Sequence, residues 1–404
     1  MADSFAGRRR IQRLVRMIHS QSGIEARYSC APAYLEPPTA SRLAPGADPL
    51  HSATTAERMQ IYESAAPPLG TAAARQALKE YADACGQTVE QVGASITHLI
   101  AISCTGLFAP GLDFVLMRDL CLPTTVRRTL VGFMGCAAAF NGLRLAAEIV
   151  RGQPSARVLV VSVELCSLHN QPSEENDFLV GASIFSDGAA AALVGNPSPG
   201  DSDYFRLEEF YTATHPDSQE EMAWNIRDHG FALRLSPRVP DHLGVAAPLA
   251  VQAVFGSRRP YFWAIHPGGR AIVDRLAEIF ALSAQDLLAT REVLRQYGNM
   301  SSATILFVLE QLRCQLRERS AAPPASFAHS EHNGNSRRNS LTGVAMAFGP
   351  GLVVELSRLT YVPPLPPLAP AEHRVLGHIQ AHKEAPDPVA EPNQVQTLHP
   401  GASV

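Results

Sequence analysis

Short apolar runs set the strongest limit on what this chain folds into. Residues 97–103 (THLIAIS), 157–163 (RVLVVSV) and 189–194 carry little polar interruption and read as strands buried on both faces. Segment 129–135 (TLVGFMG) is another short apolar stretch. Helical patterns fill the intervals. One spans about 70–84, just after Pro67 and Pro68, where Ala72, Ala73, Ala74 and Ala77 favour a helix and Leu78 and Tyr81 add larger contacts. Others lie at about 112–120 and 137–150. The rhythm then returns. Residues 261–265 read as a strand, and a helix follows at about 270–280. Gly298-Asn299 makes a turn, Ser301 can cap the next element, and 303–309 is strongly apolar. Residues 341–348 and 352–358 read as two strands joined by Gly349-Pro350-Gly351. Strands alternating with helices in both halves predict an α/β fold with layered, buried sheets. The predicted units are 1–195 and 196–362, alike in rhythm and not in identity. A tail at 363–404, Pro-rich at its start, reads as disordered. Residues 28–60 read as loop, and 319–340 as a solvent-exposed insertion.

Composition narrows the function classes. A formal net charge of -4 argues against nucleic-acid binding by phosphate neutralisation. Seven Cys with no CxxC pair suit neither a disulfide scaffold nor a thiolate metal site and point to a reducing compartment, and the missing export signals make a cytoplasmic location the expectation. Arg8, Arg9 and Arg10 lead into Ile11, Leu14, Val15 and Ile18, where Arg13, Arg16 and His19 interrupt the apolar run. That is an amphipathic helix and not a signal peptide. No segment has the length of apolar sequence that a membrane span needs. No glycine-rich loop is followed by the lysine that phosphate binding requires, so ATP use has no support.

Three residues stand where chemistry is possible. Cys136 lies at a loop-to-helix junction, Gly135-Cys136-Ala137-Ala138-Ala139. Small neighbours leave room for a substrate, and a helix N-terminus lowers a thiol pKa. A buried structural Cys among alanines is the ordinary alternative. His266 follows an apolar strand and precedes Pro-Gly-Gly, a turn that can aim an imidazole into a pocket. A satisfied histidine at a strand end explains it equally. Asn299 follows Gly298 at a turn, where Asn is common for backbone reasons, although its amide can also donate to an oxyanion.

The combination says more than its parts. Gly132-Phe133-Met134-Gly135-Cys136, Ile265-His266-Pro267-Gly268-Gly269, Tyr297-Gly298-Asn299-Met300-Ser301-Ser302 and Phe348-Gly349-Pro350-Gly351 occur in this order. With Cys104-Thr105-Gly106, Ala109-Pro110-Gly111-Leu112-Asp113 and the run from Gly181 to Ala190, the pattern resembles the type III polyketide synthases. These are the chalcone-synthase-like branch of the thiolase superfamily. The likeness extends from about 58 to 358, and more weakly into 11–28.

The resemblance implies a thiolase-like layered fold of two similarly built halves, here without the family's usual first N-terminal strand. The first half would carry a nucleophilic Cys136, and the second would carry His266 and Asn299. Phe185 matches the family's aromatic gatekeeper, and Leu233 stands where relatives have a second aromatic. Cys166, His169 and Ser301 match cavity-lining positions. Trp224 falls near a position where the plant enzymes often have glycine, and its bulk would close part of the cavity. Arg13 and Arg16 would meet the phosphates of coenzyme A, with a solvated helix face as the alternative. Ala109 replaces a methionine that crosses the dimer interface in many relatives, and a homodimer is still expected. The implied reaction is iterative decarboxylative condensation of malonyl-CoA onto an acyl-CoA starter, with no resident cofactor and no metal. An alkylpyrone or alkylresorcinol is the first product expectation, and a small polyhydroxylated aromatic the second. The rivals are a ketoacyl synthase III-like single condensation and a non-catalytic acyl-binding scaffold.

Overall fold

The runs at 97–103 and 157–163 lie side by side, as their unbroken apolar character requires. The structure is a computed structural model that describes residues 8–31, 53–171, 173–198, 201–321, 341–364 and 380–381. In it β1 (His98–Ser103) pairs in parallel with β2 (Arg127–Gly132) on one side and β3 (Arg157–Leu165) on the other. Antiparallel to β3 runs β4 (Asp187–Gly195). A second sheet has the order β5 (Tyr204–Thr214), β10 (Val353–Val362), β9 (Thr342–Gly349), β8 (Trp263–Ile265). Its β8–β9 pair is parallel and the others antiparallel. Two further strands, β6 (Met222–Arg227) and β7 (Gly230–Leu235), form a separate hairpin.

Each sheet is covered on both faces, so the layers alternate helix, sheet, helix, sheet, helix. On the outside of the first sheet, α2 (Thr55–Cys85), α3 (Val89–Ala94) and α4 (Leu112–Asp119) bury Leu78, Val92 and Leu116 against Leu99 and Val161. Between the sheets, α5 (Ala138–Gly152) and α10 (Thr304–Ala321) bury Phe140 and Ile305 against Ile102 and Ala345. On the far side, α7 (Val239–Phe255) and α8 (Arg270–Ile279) bury Leu243 and Val273 against Ile265 and Leu356. This is the layered α/β architecture the sequence predicts.

Two elements depart from the sequence reading. The helix expected at 70–84 begins at Thr55 and passes through Pro67 and Pro68. A capping box starts it: Thr54 Oγ1 accepts from Glu57 N–H, and the Glu57 carboxylate accepts from Thr54 N–H. Two prolines cost backbone hydrogen bonds, but the helix lies along β3 and β4 with Ala66, Pro67 and Gly70 buried. Gly70 permits that approach, since a Cβ there would sit 2.8 Å from Val163 Cγ2. The stretch at 129–135 is half strand and half turn. Its strand, β2, is a sheet edge that leaves Leu130 exposed.

The first helix, α1 (Arg9–Gln21), packs Val15 with Ile11, Leu14 and Ile18 against Leu179 of α6 (Asn176–Ile184). Among the described residues no strand precedes β1. Most of the predicted loop at 28–60, the bulk of the 319–340 insertion and nearly all of the 363–404 tail lie outside the described residues. Within that tail, Gln380–Ala381 pairs antiparallel with β4 at Ala191 and Ala190. No described helix is long and apolar enough to cross a membrane.

Candidate active site

Loops from both halves meet over one cavity. Cys136 stands in the single 3-10 turn Gly135–Ala137 that opens into α5, at the helix N-terminus the sequence predicts. Backbone conformation is unusual around it: Phe133 has φ 57° and Gly135 φ 63°. Glycine suits the second position doubly, because a Cβ on Gly135 would collide with the Pro350 ring. Gly349 lies as close, with Met134 O 2.8 Å from where its Cβ would be. The Gly349-Pro350-Gly351 loop thus presses on the turn that carries the thiol. Gly135→Ala is expected to cost roughly 2–4 kcal/mol in denaturant unfolding, from left-handed strain plus overpacking. A loss below about 1 kcal/mol would show that the loop yields freely.

Asn299 follows α9 (Leu288–Tyr297) and is 1% exposed. Its Oδ1 accepts from Ser301 N–H at 2.8 Å and lies 4.0 Å from Cys136 Sγ. Its Nδ2 donates to Gly268 O at 3.2 Å. A backbone N–H on one end and a carbonyl on the other orient the amide unambiguously. His266 follows β8 and is also 1% exposed, and neither ring nitrogen has a hydrogen-bond partner among the described residues. Such a buried, unpartnered imbalance is costly unless a ligand group completes it.

Burial governs both titrations. It pushes the Cys136 thiol up to about 11, against the lowering hydrogen bonds of Ser301 and Asn299. It also holds the His266 imidazole down to about 3. The expectation of a thiol pKa lowered by the helix N-terminus is therefore corrected. Desolvation is the largest influence on each group, and it favours the neutral thiol and the neutral imidazole.

The remaining sequence candidates divide into two groups. Phe185, Leu233, Cys166, Trp224 and Ser301 line the cavity with Cys136, His266 and Asn299. Phe185 ends α6, and its peptide is clamped to Asn299: Asn299 N–H donates to Ile184 O at 2.8 Å and Ser186 N–H to Asn299 O at 2.9 Å. Leu233 faces Trp224 across the β6–β7 pair. His169 does not line the cavity; it is buried behind Trp224. Arg13 and Arg16 are exposed on α1 and reach no part of the cavity wall. Among the described residues, no group of three His, Cys, Asp or Glu is placed to hold a metal.

Two family-model matches run through most of the chain. Residues 43–198 match the model described as chalcone and stilbene synthases, N-terminal domain. Residues 209–363 match the corresponding C-terminal domain. The chain belongs to the chalcone and stilbene synthase family. Solved structures of type III polyketide synthases share its fold. The C-terminal type III polyketide synthase domain of Steely1, a type I/III hybrid from Dictyostelium, is 26% identical with a TM-score of 0.76, over 90% of this chain and 93% of that one. PKS-I from the brown algae Ectocarpus siliculosus is 28% identical with a TM-score of 0.74, over 89% of this chain and 92% of that one. The fold is that of the thiolase superfamily.

Within this chalcone and stilbene synthase fold, sequence reasoning passed over Glu164. It is fully buried under the cavity floor on β3, and Cys104 N–H and Thr105 Oγ1 each donate to it at 2.9 Å. Ser302 Oγ donates to its other oxygen. A carboxylate near the end of the mostly apolar strand RVLVVSVEL was the available signal. Burial pushes its carboxyl up to about 7 despite the three donors. An unfolded glutamate loses its proton near the ordinary value, whereas the native one keeps it, so this group lowers stability as pH rises from about 4.5 to 7. Measured by urea unfolding at pH 5 and pH 7.5, Glu164→Gln is expected to gain about 1–3 kcal/mol relative to the parent at the higher pH. An equal difference at both pH values would place the titration elsewhere.

Proposed function

We propose that the protein is a type III polyketide synthase that condenses malonyl-CoA repeatedly, with loss of carbon dioxide, onto an acyl-CoA starter. One observation carries this reading. A thiol, an oriented amide and an imidazole with neither nitrogen bonded among the described residues converge on one apolar cavity that Phe185 also lines.

In this scheme Cys136 Sγ attacks the starter thioester as its proton passes to His266, and the coenzyme A thiol leaves with that proton. The malonyl thioester carbonyl then lies against His266 and Asn299. Loss of carbon dioxide leaves its electron pair as an enolate that these donors stabilise. The Asn299 Nδ2 has a second hydrogen beyond the one given to Gly268 O. The enolate carbon attacks the Cys136 thioester, Sγ leaves, and the chain grown by two carbons returns for the next cycle. Cyclisation releases the product. Arg13 and Arg16 are the proposed contacts to the coenzyme A phosphates, from the helix packed beside α6 and its Phe185. A homodimer is proposed through the β2 edge of the first sheet, where Leu130 is 42% exposed and is followed in the chain by Met134, 41% exposed.

An apolar lining suits an aliphatic acyl starter and an alkylpyrone or alkylresorcinol. A small aromatic built from malonyl units alone is the second reading. It is favoured by Trp224, whose Nε1 donates to Cys104 O at 2.8 Å and fixes the bulky indole in the cavity wall. The test is incubation with malonyl-CoA and acyl-CoA starters of increasing length, with mass spectrometry of the products. Ring-closed products of two or more extensions are expected. No product from any starter overturns the reading, and a single condensation that needs acyl carrier protein favours the ketoacyl synthase III-like rival. Malonyl-dependent release of carbon dioxide separates an enzyme from a non-catalytic scaffold.

A further inference from the structure

The first sheet has two unlike sides. At β2, Arg127 through Leu130 are exposed. At β4 nothing is: Ala189 through Val194 are each 0% exposed, main chain included. Packing on the two faces accounts for the side chains there. Ala189, Ala191 and Leu193 face the core under α2, while Ala190, Ala192 and Val194 face the core that holds α10. It does not account for the backbone. In an antiparallel pair only every second residue turns its N–H and C=O to its neighbour, so β3 takes up half of the groups of β4 and leaves the other half pointing outward. Such a row is stable in water or against another strand, and costly when buried without partners.

The strand that lies there comes from the far end of the chain. Gln380–Ala381, here β11, pairs antiparallel with Ala191 and Ala190 and extends the sheet to the order β11-β4-β3-β1-β2. It touches both α2 and α10, so it sits in the sheet layer between the helices that cover β4. The chain is well placed to deliver it. β10 ends at Val362, which packs on the cluster that holds Ala189, Ala191 and Leu193. Residues 363–379 can bridge up to roughly 60 Å, far more than the return to β4 requires. Val375 and Ile379, residue types that favour strands, lead into the paired residues.

From this arrangement we propose that the outer edge of β4 is a strand-binding site, filled by the protein's own C-terminal segment around Gln380–Ala381. The ligand is an extended peptide held through its main chain, as in strand addition to a sheet edge. The segment is thereby a structural part of the first sheet, whose β4 follows directly on Phe185 and Ser186. This holds whatever reaction the cavity performs.

Hydrogen exchange on the full chain, read by mass spectrometry with residue-level fragmentation, tests it. In the parent, Ala190 and Ala191 are expected to exchange slowly, as is one of Gln380 and Ala381. Two consecutive residues alternate in direction, so Gln380→Pro with Ala381→Pro removes whichever N–H faces β4. One of Ala190 and Ala191 is then expected to exchange about tenfold faster, the factor for one lost hydrogen bond, while the other, bonded to β3, stays within about twofold. Gln396→Pro, farther along the tail, is expected to change neither. Unchanged exchange of both alanines in the double-proline variant overturns the proposal, and so does an equal acceleration in Gln396→Pro. Should the double variant not fold, the parent decides: Gln380 and Ala381 both exchanging at the rate of an unstructured peptide overturns it. Parental protection that survives dilution by about a hundredfold assigns the strand to the same chain. Protection lost on dilution gives the strand to a second copy and overturns the proposal.

Discussion

Cys136→Ala is expected to abolish the acyl-enzyme and reduce polyketide formation about 10⁴-fold or more, because no other group can carry the growing chain. The substitution suits the site structurally. Ala137, Ala138 and Ala139 already follow, and the sulfur faces the cavity and not a packed core. Stability is expected to change by no more than about 1 kcal/mol, checked by thermal unfolding. Incubation with acyl-CoA and intact-mass measurement reads the adduct directly. His266 and Asn299 remain in this variant, so malonyl decarboxylation is expected to continue without condensation. Asn299→Ala gives the opposite pattern. The adduct still forms, while condensation falls by about 10²–10³-fold through the lost oxyanion donor. An acyl adduct that persists in well-folded Cys136→Ala would remove Cys136 from the proposed role.

Arg313→Met is expected to cost about 3–5 kcal/mol of stability without touching the cavity. Arg313 is 1% exposed on α10, the helix buried between the two sheets. Its guanidinium reaches Asp203 at 3.1 Å, Glu80 of α2 at 2.6 Å and Glu310 at 2.8 Å. Asp203, itself 1% exposed, also receives Arg317 at 2.6 Å and the Tyr361 hydroxyl of β10 at 3.0 Å. The cluster joins the outer helix α2 and the central helix α10 to β10 of the second sheet. Methionine approximates the arginine stem and leaves acidic groups without the central cation, which is the expensive way to break a buried ion pair. Arg313→Met with Glu310→Gln is expected to recover part of the loss, since the carboxylate whose ion pair was with Arg313 is then uncharged. Urea unfolding measures both, and activity per folded molecule is expected to stay within about twofold of the parent, as remote sites act independently. A cost below about 1 kcal/mol would mean that packing and not the ion cluster holds α10 in place.

Much of this architecture was legible because it is written locally. Unbroken apolar runs at 97–103 and 157–163 can satisfy their backbones and side chains only inside a covered sheet. Gly135, Gly298 and Gly349 mark turns where a side chain would collide or strain, so motifs built on them keep their spacing. The apolar segment at 303–309 was legible as core but not as helix. Being apolar all round suits a strand or a central helix alike, and only its place between two sheets decides. The hairpin β6–β7 escaped notice, although Asp228-His229-Gly230 marks its turn. A half-exposed ribbon carries weak periodicity.

The sequence by itself determined the family, the layering and which three polar side chains end up at loop tips, because each depends on residue type, order and spacing. The tertiary structure decided the rest. It set Trp224 against Leu233 by strand register, placed His169 behind the wall and not on it, and kept Cys136 and His266 neutral by desolvation. Register, distance and dielectric arise from residues far apart in the chain, and no local pattern contains them.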